Sequence, residues 1–247
     1  MVLNYNQILK ILLTGGNGAL GQEIQKVIPN CIAPGKNELD IRDKQNVLDF
    51  VKLHQIDIII HAAALTSIRN CEEDNESAWK TNVIGTQNLI DSLSANNVDG
   101  YFVYISTACV FKGDEQMYSE KSIPNPANFY ALTKLIGETS VQSLQNHIII
   151  RTNFVTKKKW PYEKAFTDRY GTYLFADDVA VGIKEIFESK QKGIIHLVGD
   201  KVYSMYDLAK ITTPDVKPMT LQDYSGPHLT INMTLDSLKW KKYKISK

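Results

Sequence analysis

Short apolar runs alternate along the chain with stretches whose apolar residues recur at helical spacing. The apolar runs predict buried strands at residues 8–14, 31–33, 56–63, 101–107, 148–151 and 194–198. The amphipathic stretches predict helices at residues 20–28, 46–54, 78–95, 130–144 and 177–189. Such alternation is typical of an α/β fold with a doubly wound parallel sheet.

The pattern divides the chain into two parts. Residues 1–155 hold most of the alternation and are predicted to form one sheet domain. Residues 156–247 contain Pro214, Pro218 and Pro227 and predict a small, loop-rich lobe. Within this second part, residues 177–199 return to a helix and a strand, which we expect to extend the first sheet.

Composition and charge exclude several classes of function. The 28 Lys and Arg residues nearly balance the 27 Asp and Glu residues, so no global field would hold nucleic acid or an anionic membrane. The three cysteines form no CxxC pair and the five histidines show no ligand spacing, so we expect no disulfide framework and no metal site. Residues 1–7 lack a signal-peptide pattern, and the apolar run at 56–65 is too short to span a bilayer. We therefore expect a cytoplasmic protein.

Three glycines, Gly15, Gly18 and Gly21, stand where the first predicted strand meets the first predicted helix. A dinucleotide needs glycine there because the turn takes positive φ, the backbone approaches the pyrophosphate, and the helix N-terminus offers free N–H groups. The G-x-x-G-x-x-G spacing differs from G-x-G-x-x-G, and a glycine turn without a ligand would look the same. No Gly-Lys-Ser/Thr follows, which disfavours an ATP-binding loop. The turn thus predicts a Rossmann-type site for NAD(P)(H).

The choice between the two nicotinamide cofactors depends on the end of the second predicted strand. Residues 31–36 read Cys-Ile-Ala-Pro-Gly-Lys and offer no carboxylate for the ribose hydroxyls of NAD(H). Lys36 could instead meet the 2′-phosphate of NADP(H), although a solvated loop lysine would look the same. The sequence favours NADP(H) and leaves NAD(H) open.

Tyr130 and Lys134 lie four residues apart, and so on one face, at the start of a predicted helix. A phenol with a pKa of about 10 is a poor acid at neutral pH, but a neighbouring lysine cation favours the phenolate and lowers that pKa. The strand that ends in Ser106 and Thr107 would add a hydroxyl to the same substrate oxygen. Together with the glycine turn, this pair predicts reduction of a carbonyl group.

In combination these motifs resemble the extended short-chain dehydrogenases/reductases, and within them the dTDP-4-dehydrorhamnose reductase branch. The resemblance covers about residues 11–151 and 168–210. It implies a Rossmann-type doubly wound sheet with Thr107, Tyr130 and Lys134 as catalytic residues. With Lys36 added, the expected cofactor contacts are Gly15, Asn17, Gly18, Ala19, Leu20, Gly21, Lys36, Asp40, Ile41, Ala62, Ala63, Ala64, Tyr130 and Lys134. By the same resemblance, the active site is supported by Asn82, and the substrate is contacted by Thr66, Ala108 and Phe154.

The activity implied by this resemblance is NAD(P)H-dependent reduction of a nucleotide-linked 4-keto-6-deoxy sugar, a step of dTDP-rhamnose and cell-surface polysaccharide biosynthesis. Tyr130 would donate the proton, Lys134 would lower the pKa of Tyr130 and hold the cofactor ribose, and Thr107 would orient the carbonyl. Two alternatives stay open. One is a nucleotide-sugar 4-epimerase with the same three residues, and the other is a non-catalytic NADP-binding regulatory subunit, as in methionine adenosyltransferase.

The sequence departs from the pattern of that branch where the substrate would bind. Ala108 and Cys109 replace the Asp and Tyr that follow the catalytic Thr in relatives, and Phe154 replaces a Trp. The segment 153–167 is shorter than its counterpart, and the tail is short as well. We therefore expect a trimmed substrate lobe with an altered grip on the nucleotide sugar. The helices at 78–95 and after Tyr130 are faces that pair in relatives, which leaves a homodimer open.

Overall fold

The computed structural model describes residues 9–95 and 100–246, so the predicted strand start at residue 8 and the segment 1–7 lie outside the described residues. Within these ranges the strands are β1 Ile11–Thr14, β2 Ile58–His61, β3 Tyr101–Thr107, β4 His147–Thr152, β5 Phe154–Val155, β6 Lys164–Phe166, β7 Tyr170–Gly171, β8 Leu174–Phe175, β9 Gly193–Leu197, β10 Tyr203–Ser204, β11 Lys217–Met219 and β12 Asn232–Met233. The α-helices are α1 Ala19–Val27, α2 Lys44–His54, α3 Ile68–Glu73, α4 Asn75–Trp79, α5 Gly85–Ala95, α6 Phe129–Val141, α7 Ala176–Glu188 and α8 Met205–Thr212.

The central sheet has the strand order β1-β2-β3-β4-β9, and every pair in it is parallel. Its strands are rich in isoleucine, valine and aromatic residues and are almost fully buried. Continuous apolar strands of this kind are typical of a parallel sheet that helices cover on both faces. The predicted α/β fold with a doubly wound parallel sheet is confirmed.

Helices cover both faces of this sheet. On one face α1 and α7 bury Ile24 and Ile183 against Leu13 and its neighbours. On the other, α2 and α5 bury Val47 and Leu89 in a second apolar cluster. In the described part of the chain, no helix is both long and apolar enough to cross a membrane.

The predicted second strand, at residues 31–33, is reduced to one parallel bridge between Ile32 and Leu12. The Leu13 amide donates to the Ile32 carbonyl at 2.8 Å, and the Ile32 amide donates to the Ile11 carbonyl at 2.7 Å. Pro34 then follows, and a proline has no N–H with which to continue a ladder. The prediction of a full strand was wrong, although the segment does lie beside β1.

The predicted helix at 78–95 is also interrupted. A π-helical turn, Lys80–Ile84, separates α4 from α5. The Thr86 hydroxyl of α5 donates to the Asn82 carbonyl of this turn at 2.6 Å, and the Asn82 side chain bonds outside its own helix. Such widened turns occur mostly at functional sites, because they re-aim a side chain.

Beyond residue 152 the chain contains several short strands in addition to α7, α8 and β9. They form a three-stranded sheet β10-β7-β12 and two pairs, β6 with β11 and β5 with β8. Strand β9 instead pairs with β4 in the central sheet. Ligands of open α/β sheets bind beyond the carboxyl ends of the strands, which directs attention to the ends of β1, β2 and β3.

Candidate active site

Two adjoining cavities lie at the carboxyl ends of the central strands. The first has a volume of about 330 Å³ and lies between the glycine turn and residues 36–42. The second has a volume of about 490 Å³ and lies between the start of α1, the end of β3, α6 and the lobe. Both cavities are lined by Gly15, Gly18, Ala62 and Ala64, so they form one cleft.

The glycine turn packs too closely for side chains at two positions. Gly15 has a φ of +77°, and a Cβ on it would lie 2.6 Å from the Ala63 amide nitrogen. A Cβ on Gly21 would lie 2.1 Å from the Gly15 carbonyl oxygen. Glycine is therefore required at both positions for the turn to fold against the end of β2 and the start of α1.

The start of α1 offers a binding site for an anion. Gly18 is the N-cap residue of this helix and has no side chain that could accept a hydrogen bond from the first-turn amides. The first helical residues, Ala19 and Leu20, line the second cavity. The amides of an uncapped first turn and the positive end of the helix dipole both stabilise negative charge. The turn thus fits the diphosphate of a dinucleotide cofactor.

All of the cofactor contacts expected from the sequence line one of these two cavities. Their role in binding stays a prediction, but the structure does bring them together. Sequence reasoning missed Arg42, Leu65 and Thr81, which also line the first cavity. Arg42 follows Asp40 by two residues in a polar loop, and no spacing rule singles out such a residue.

Charged groups gather at the rim of the first cavity. Arg42 donates to Asp40 through Nε at 2.9 Å and through Nη2 at 2.5 Å. The bond from Arg42, with smaller contributions that include the charge of Lys36, lowers the pKa of Asp40 to about 2. This end of the cleft therefore combines the cations Lys36 and Arg42 with one ionised carboxylate, which Arg42 already pairs.

The three predicted catalytic residues meet in the second cavity. Thr107 ends β3, while Tyr130 and Lys134 lie in the first turns of α6. Asn128 caps that helix, because its side chain accepts a hydrogen bond from the Ala131 amide at 2.9 Å. Thr107, Tyr130 and Lys134 are all buried, and the Thr107 hydroxyl is hydrogen-bonded to Tyr130.

Burial is the main cause of the pKa shifts of Tyr130 and Lys134. It raises the pKa of Tyr130 above its ordinary value, and the hydrogen bond from Thr107 opposes that shift. It lowers the pKa of Lys134 to about 7, against the opposing charge of Glu138. The Lys134 ammonium lies 4.0 Å from the centre of the Tyr104 ring. Burial therefore determines the direction of the Tyr130 pKa shift, and the expected lowering of that pKa by Lys134 stays a prediction.

Ser106, the other hydroxyl that the sequence suggested, is engaged elsewhere. Its Oγ donates to Glu138 Oε1 at 2.5 Å. Glu138 is buried and pairs with Arg151 through a 2.6 Å contact between Nη2 and Oε2. This buried cluster joins α6 to β3 and β4 below the cavity, which leaves Thr107 as the hydroxyl available to a substrate.

Asn82 connects the loop after β2 with α6. Its Nδ2 donates to the Leu65 carbonyl and to the Thr133 hydroxyl, each at 3.0 Å. Its Oδ1 accepts from the Leu65 amide at 2.8 Å. Thr133 lies between Tyr130 and Lys134 on α6, so these contacts suit the supporting role that the resemblance implies for Asn82.

The expected substrate contacts are placed differently from one another. Thr66 and Phe154 line the second cavity, whereas Ala108 lines neither cavity. A 3₁₀ turn, Ala108–Val110, follows Thr107 and buries the Ala108 methyl group in an apolar cluster. The structure therefore does not bring Ala108 to the cavity, where Cys109 lies instead, and a substrate contact by Ala108 stays a prediction.

The lobe contributes residues to the second cavity that sequence reasoning missed. They come from separate short segments, so no local pattern could have indicated them. These residues are Arg169, Tyr173, Met205 and Met233.

Comparisons with known proteins agree with this geometry. The family model described as the RmlD substrate binding domain matches residues 9–223. The dTDP-4-dehydrorhamnose reductase of Aggregatibacter actinomycetemcomitans is 29% identical, over 81% of this chain and 76% of that protein. The beta subunit of methionine adenosyltransferase 2 from Bos taurus is 27% identical, over 92% of this chain and 80% of that protein. A crystal structure of a dTDP-4-dehydrorhamnose reductase from Clostridium acetobutylicum superposes with a TM-score of 0.83 at 29% identity and covers 92% of this chain and 90% of that one.

Proposed function

The chain belongs to the RmlD substrate binding domain family, and on that premise we propose that it is an NAD(P)H-dependent reductase of a nucleotide-linked 4-keto-6-deoxy sugar. The named activity of its reductase relatives is the reduction of dTDP-4-dehydrorhamnose. The observation that carries the proposal is the meeting of Thr107, Tyr130 and Lys134 in a buried cavity that continues into the glycine turn. The substrate is therefore a nucleotide sugar bound in the second cavity.

Each residue of the group has a chemical task in such a reduction. The residues of the cleft would hold a nicotinamide cofactor, which would supply the hydride for the reduction. Tyr130 donates a proton to the carbonyl oxygen, and the Thr107 hydroxyl donates a hydrogen bond to the same oxygen as negative charge develops there. The Lys134 ammonium favours the phenolate that Tyr130 becomes. Burial of all three residues keeps water away from the reacting atoms.

The two alternatives are less well supported. A 4-epimerase would use the same three residues, but the reductases are the enzymes among the relatives compared above. A regulatory subunit needs the cofactor cleft only, and the similarity to a methionine adenosyltransferase subunit keeps this alternative testable. The presence of Thr107, Tyr130 and Lys134 together in the second cavity favours an enzyme.

Turnover tests the proposal directly. We expect the protein to oxidise NADPH in the presence of dTDP-4-dehydrorhamnose, and Tyr130→Phe to lower kcat by at least about 100-fold, because the variant has no proton to donate. Loss of NADPH absorbance follows the reaction. The matched control is Tyr162→Phe, which changes an exposed tyrosine and should leave the rate unchanged. Interconversion of the sugar without net NADPH consumption would indicate an epimerase. If no keto-sugar nucleotide reacts, the protein is a regulatory subunit. Equal rates in wild type and Tyr130→Phe would show that Tyr130 is not the acid.

We further propose that NADP(H) is the preferred cofactor, with Lys36 and Arg42 beside its 2′-phosphate. Both cations line the first cavity, and the segment that follows Ile32 offers Pro34 and Gly35 where NAD-dependent enzymes have a carboxylate. Because Asp40 already pairs with Arg42, Lys36 is the cation that the phosphate would recruit first.

Reversal of the charge at position 36 tests this preference. Lys36→Glu should lower kcat/KM for NADPH by about 10-fold or more while that for NADH changes little, because a charge-assisted hydrogen bond to phosphate is lost. Steady-state kinetics with each cofactor measure the ratio. Lys52→Glu, at an exposed position on α2, is the control. An unchanged ratio in Lys36→Glu would contradict the assignment.

A further inference from the structure

The second cavity contains a buried cation that the proposed chemistry does not use. Arg169 lies just before β7 and is 7% exposed. Its Nε donates to the Thr230 carbonyl at 3.1 Å. Among the described residues, the hydrogen-bond contacts of its two terminal nitrogens are to sulfur: Nη1 lies 3.2 Å from Met205 Sδ, and Nη2 lies 3.7 Å from Met233 Sδ. The guanidinium carbon also lies 5.4 Å from the centre of the Phe166 ring.

The Phe166 ring and the Thr230 carbonyl stabilise this positive charge, but no carboxylate of the described residues neutralises it. A thioether is a weak hydrogen-bond acceptor, and a buried charge is normally paired. Across residues 9–95 and 100–246, no Asp or Glu lines this cavity and no ion pair includes Arg169. The carboxylate of the adjacent Asp168 accepts from the Leu221 amide instead. The cavity thus holds the guanidinium of Arg169 and the amine of Lys134, whose pKa burial lowers to about 7, with no carboxylate from the described residues.

Two hydroxyl groups in the same cavity find no hydrogen-bond partner in the described part of the chain. They are the buried Tyr173 OH and Thr152 Oγ1. Tyr173 lies near enough to Arg169 for the guanidinium to lower its pKa, although burial raises that pKa more strongly. Buried hydroxyls normally have a hydrogen-bond partner, so an acceptor bound in this cavity would satisfy these two hydroxyls and Arg169 together.

We propose that Arg169, together with Tyr173, binds an anionic group of the substrate, and that this group is the diphosphate of the nucleotide sugar. The identity of the anion rests on the proposed function. A guanidinium presents parallel N–H donors that match phosphate oxygens. Met205 and Met233 have flexible side chains that can give up their contacts with the terminal nitrogens. The anion at Arg169 then anchors the sugar while Thr107 and Tyr130 face its carbonyl group.

Binding of dTDP tests the proposal without any need for turnover. Titration calorimetry should show that Arg169→Met weakens dTDP binding by about 10- to 100-fold, because a charged hydrogen-bonding pair is lost. Methionine is chosen because it leaves no unpaired charge among the two existing thioethers. Arg69→Met, the same substitution at an exposed arginine, should leave dTDP binding unchanged. The dissociation constant of NADPH should be the same in all three proteins.

Tyr173→Phe is a second variant that does not disturb the guanidinium. It removes a buried hydroxyl that has no partner, so the free protein should be as stable as wild type or more stable. We nevertheless expect dTDP to bind several-fold more weakly, as for the loss of one hydrogen bond.

The outcomes separate an anion site from a structural arginine. Equal dTDP affinity in wild type, Arg169→Met and Tyr173→Phe would overturn the proposal. The proposal would also be overturned if Arg169→Met lost dTDP and NADPH binding in parallel and had a lowered melting temperature, while Tyr173→Phe bound dTDP as wild type does. Arg169 would then have a role in folding only. If dTDP binds through Arg169 but no keto sugar is reduced, the anion site stands and the proposed function fails. If keto sugar is reduced with the same KM in Arg169→Met, the function stands and the anion site fails.

Discussion

At the scale of single residues, Lys134 carries its charge where water does not solvate it. The residue is 3% exposed, and burial lowers its pKa from 10.5 to about 7. Between these two values the unfolded chain holds a proton that the native protein has released, so the contribution of Lys134 to stability rises with pH. From pH 7 to pH 9 we expect the free energy of unfolding of wild type to rise by about 2 kcal/mol relative to Lys134→Met. Urea unfolding at the two pH values measures this difference.

The control for this comparison is Lys52→Met, at an exposed position on α2. Its stability should follow that of wild type at both pH values, because a solvated lysine keeps the same pKa in the folded and unfolded chain. Identical pH dependence in wild type and Lys134→Met would show that Lys134 keeps its proton well above neutral pH.

Residues that a motif spaces along the chain could be predicted from sequence. The i,i+4 spacing of Tyr130 and Lys134 determines a shared helix face, and the end of a strand places Thr107. The choice between Ser106 and Thr107 depended on Glu138, which is distant in sequence, and the burial of Ala108 depended on a 3₁₀ turn. Arg169 lies in the segment 168–210 that the resemblance covers, but its position in the cavity depends on the packing of the lobe, which no spacing predicts.

At the scale of elements, the buried pair of Glu138 and Arg151 connects α6 to β4. Glu138→Gln would leave the guanidinium of Arg151 buried without its counter-charge. We expect the variant to lose about 3–5 kcal/mol of unfolding free energy, the usual cost when one partner of a buried ion pair is removed. Denaturant unfolding measures the loss.

An exposed ion pair provides the matched control. Glu76 and Lys80 form an i,i+4 pair in which both side chains are more than half exposed. Glu76→Gln should therefore change stability by less than about 1 kcal/mol. If Glu138→Gln is no more destabilising than Glu76→Gln, the pair does not hold α6 in place.

Elements with strong periodicity were predictable, and those shaped by tertiary contacts were not. The helix predicted at 130–144 appears as α6, because Asn128 provides a local cap at its start. The segment 31–33 has strand-like composition, yet Pro34 and an edge position reduce it to one bridge. The π-helical turn at Lys80–Ile84 depends on what Asn82 binds elsewhere in the fold, which no helical pattern records.

At the scale of the whole molecule, the chain end returns to the central sheet domain. Tyr243 donates to Glu185 of α7 at 2.5 Å and accepts from the Trp240 indole at 2.9 Å. Its backbone also pairs with the segment after β9, where the Tyr243 amide donates to the Val198 carbonyl at 3.0 Å. The division into residues 1–155 and 156–247 stays a prediction, and these contacts favour two parts that fold as one unit.

Cooperative unfolding of the sheet domain and the lobe can be tested at Tyr243. Tyr243→Ala removes a half-buried aromatic ring that packs against α7, and we expect it to destabilise the protein by about 2 kcal/mol, below the usual cost for a fully buried ring. If the chain is one cooperative unit, the midpoint should shift equally by circular dichroism and by tryptophan fluorescence, with an unchanged denaturant slope. Lys244→Ala, at the exposed neighbouring position, should leave the midpoint in place. Two separate transitions, with only one shifted by Tyr243→Ala, would show instead that the lobe unfolds independently of the sheet that carries Thr107 and Tyr130.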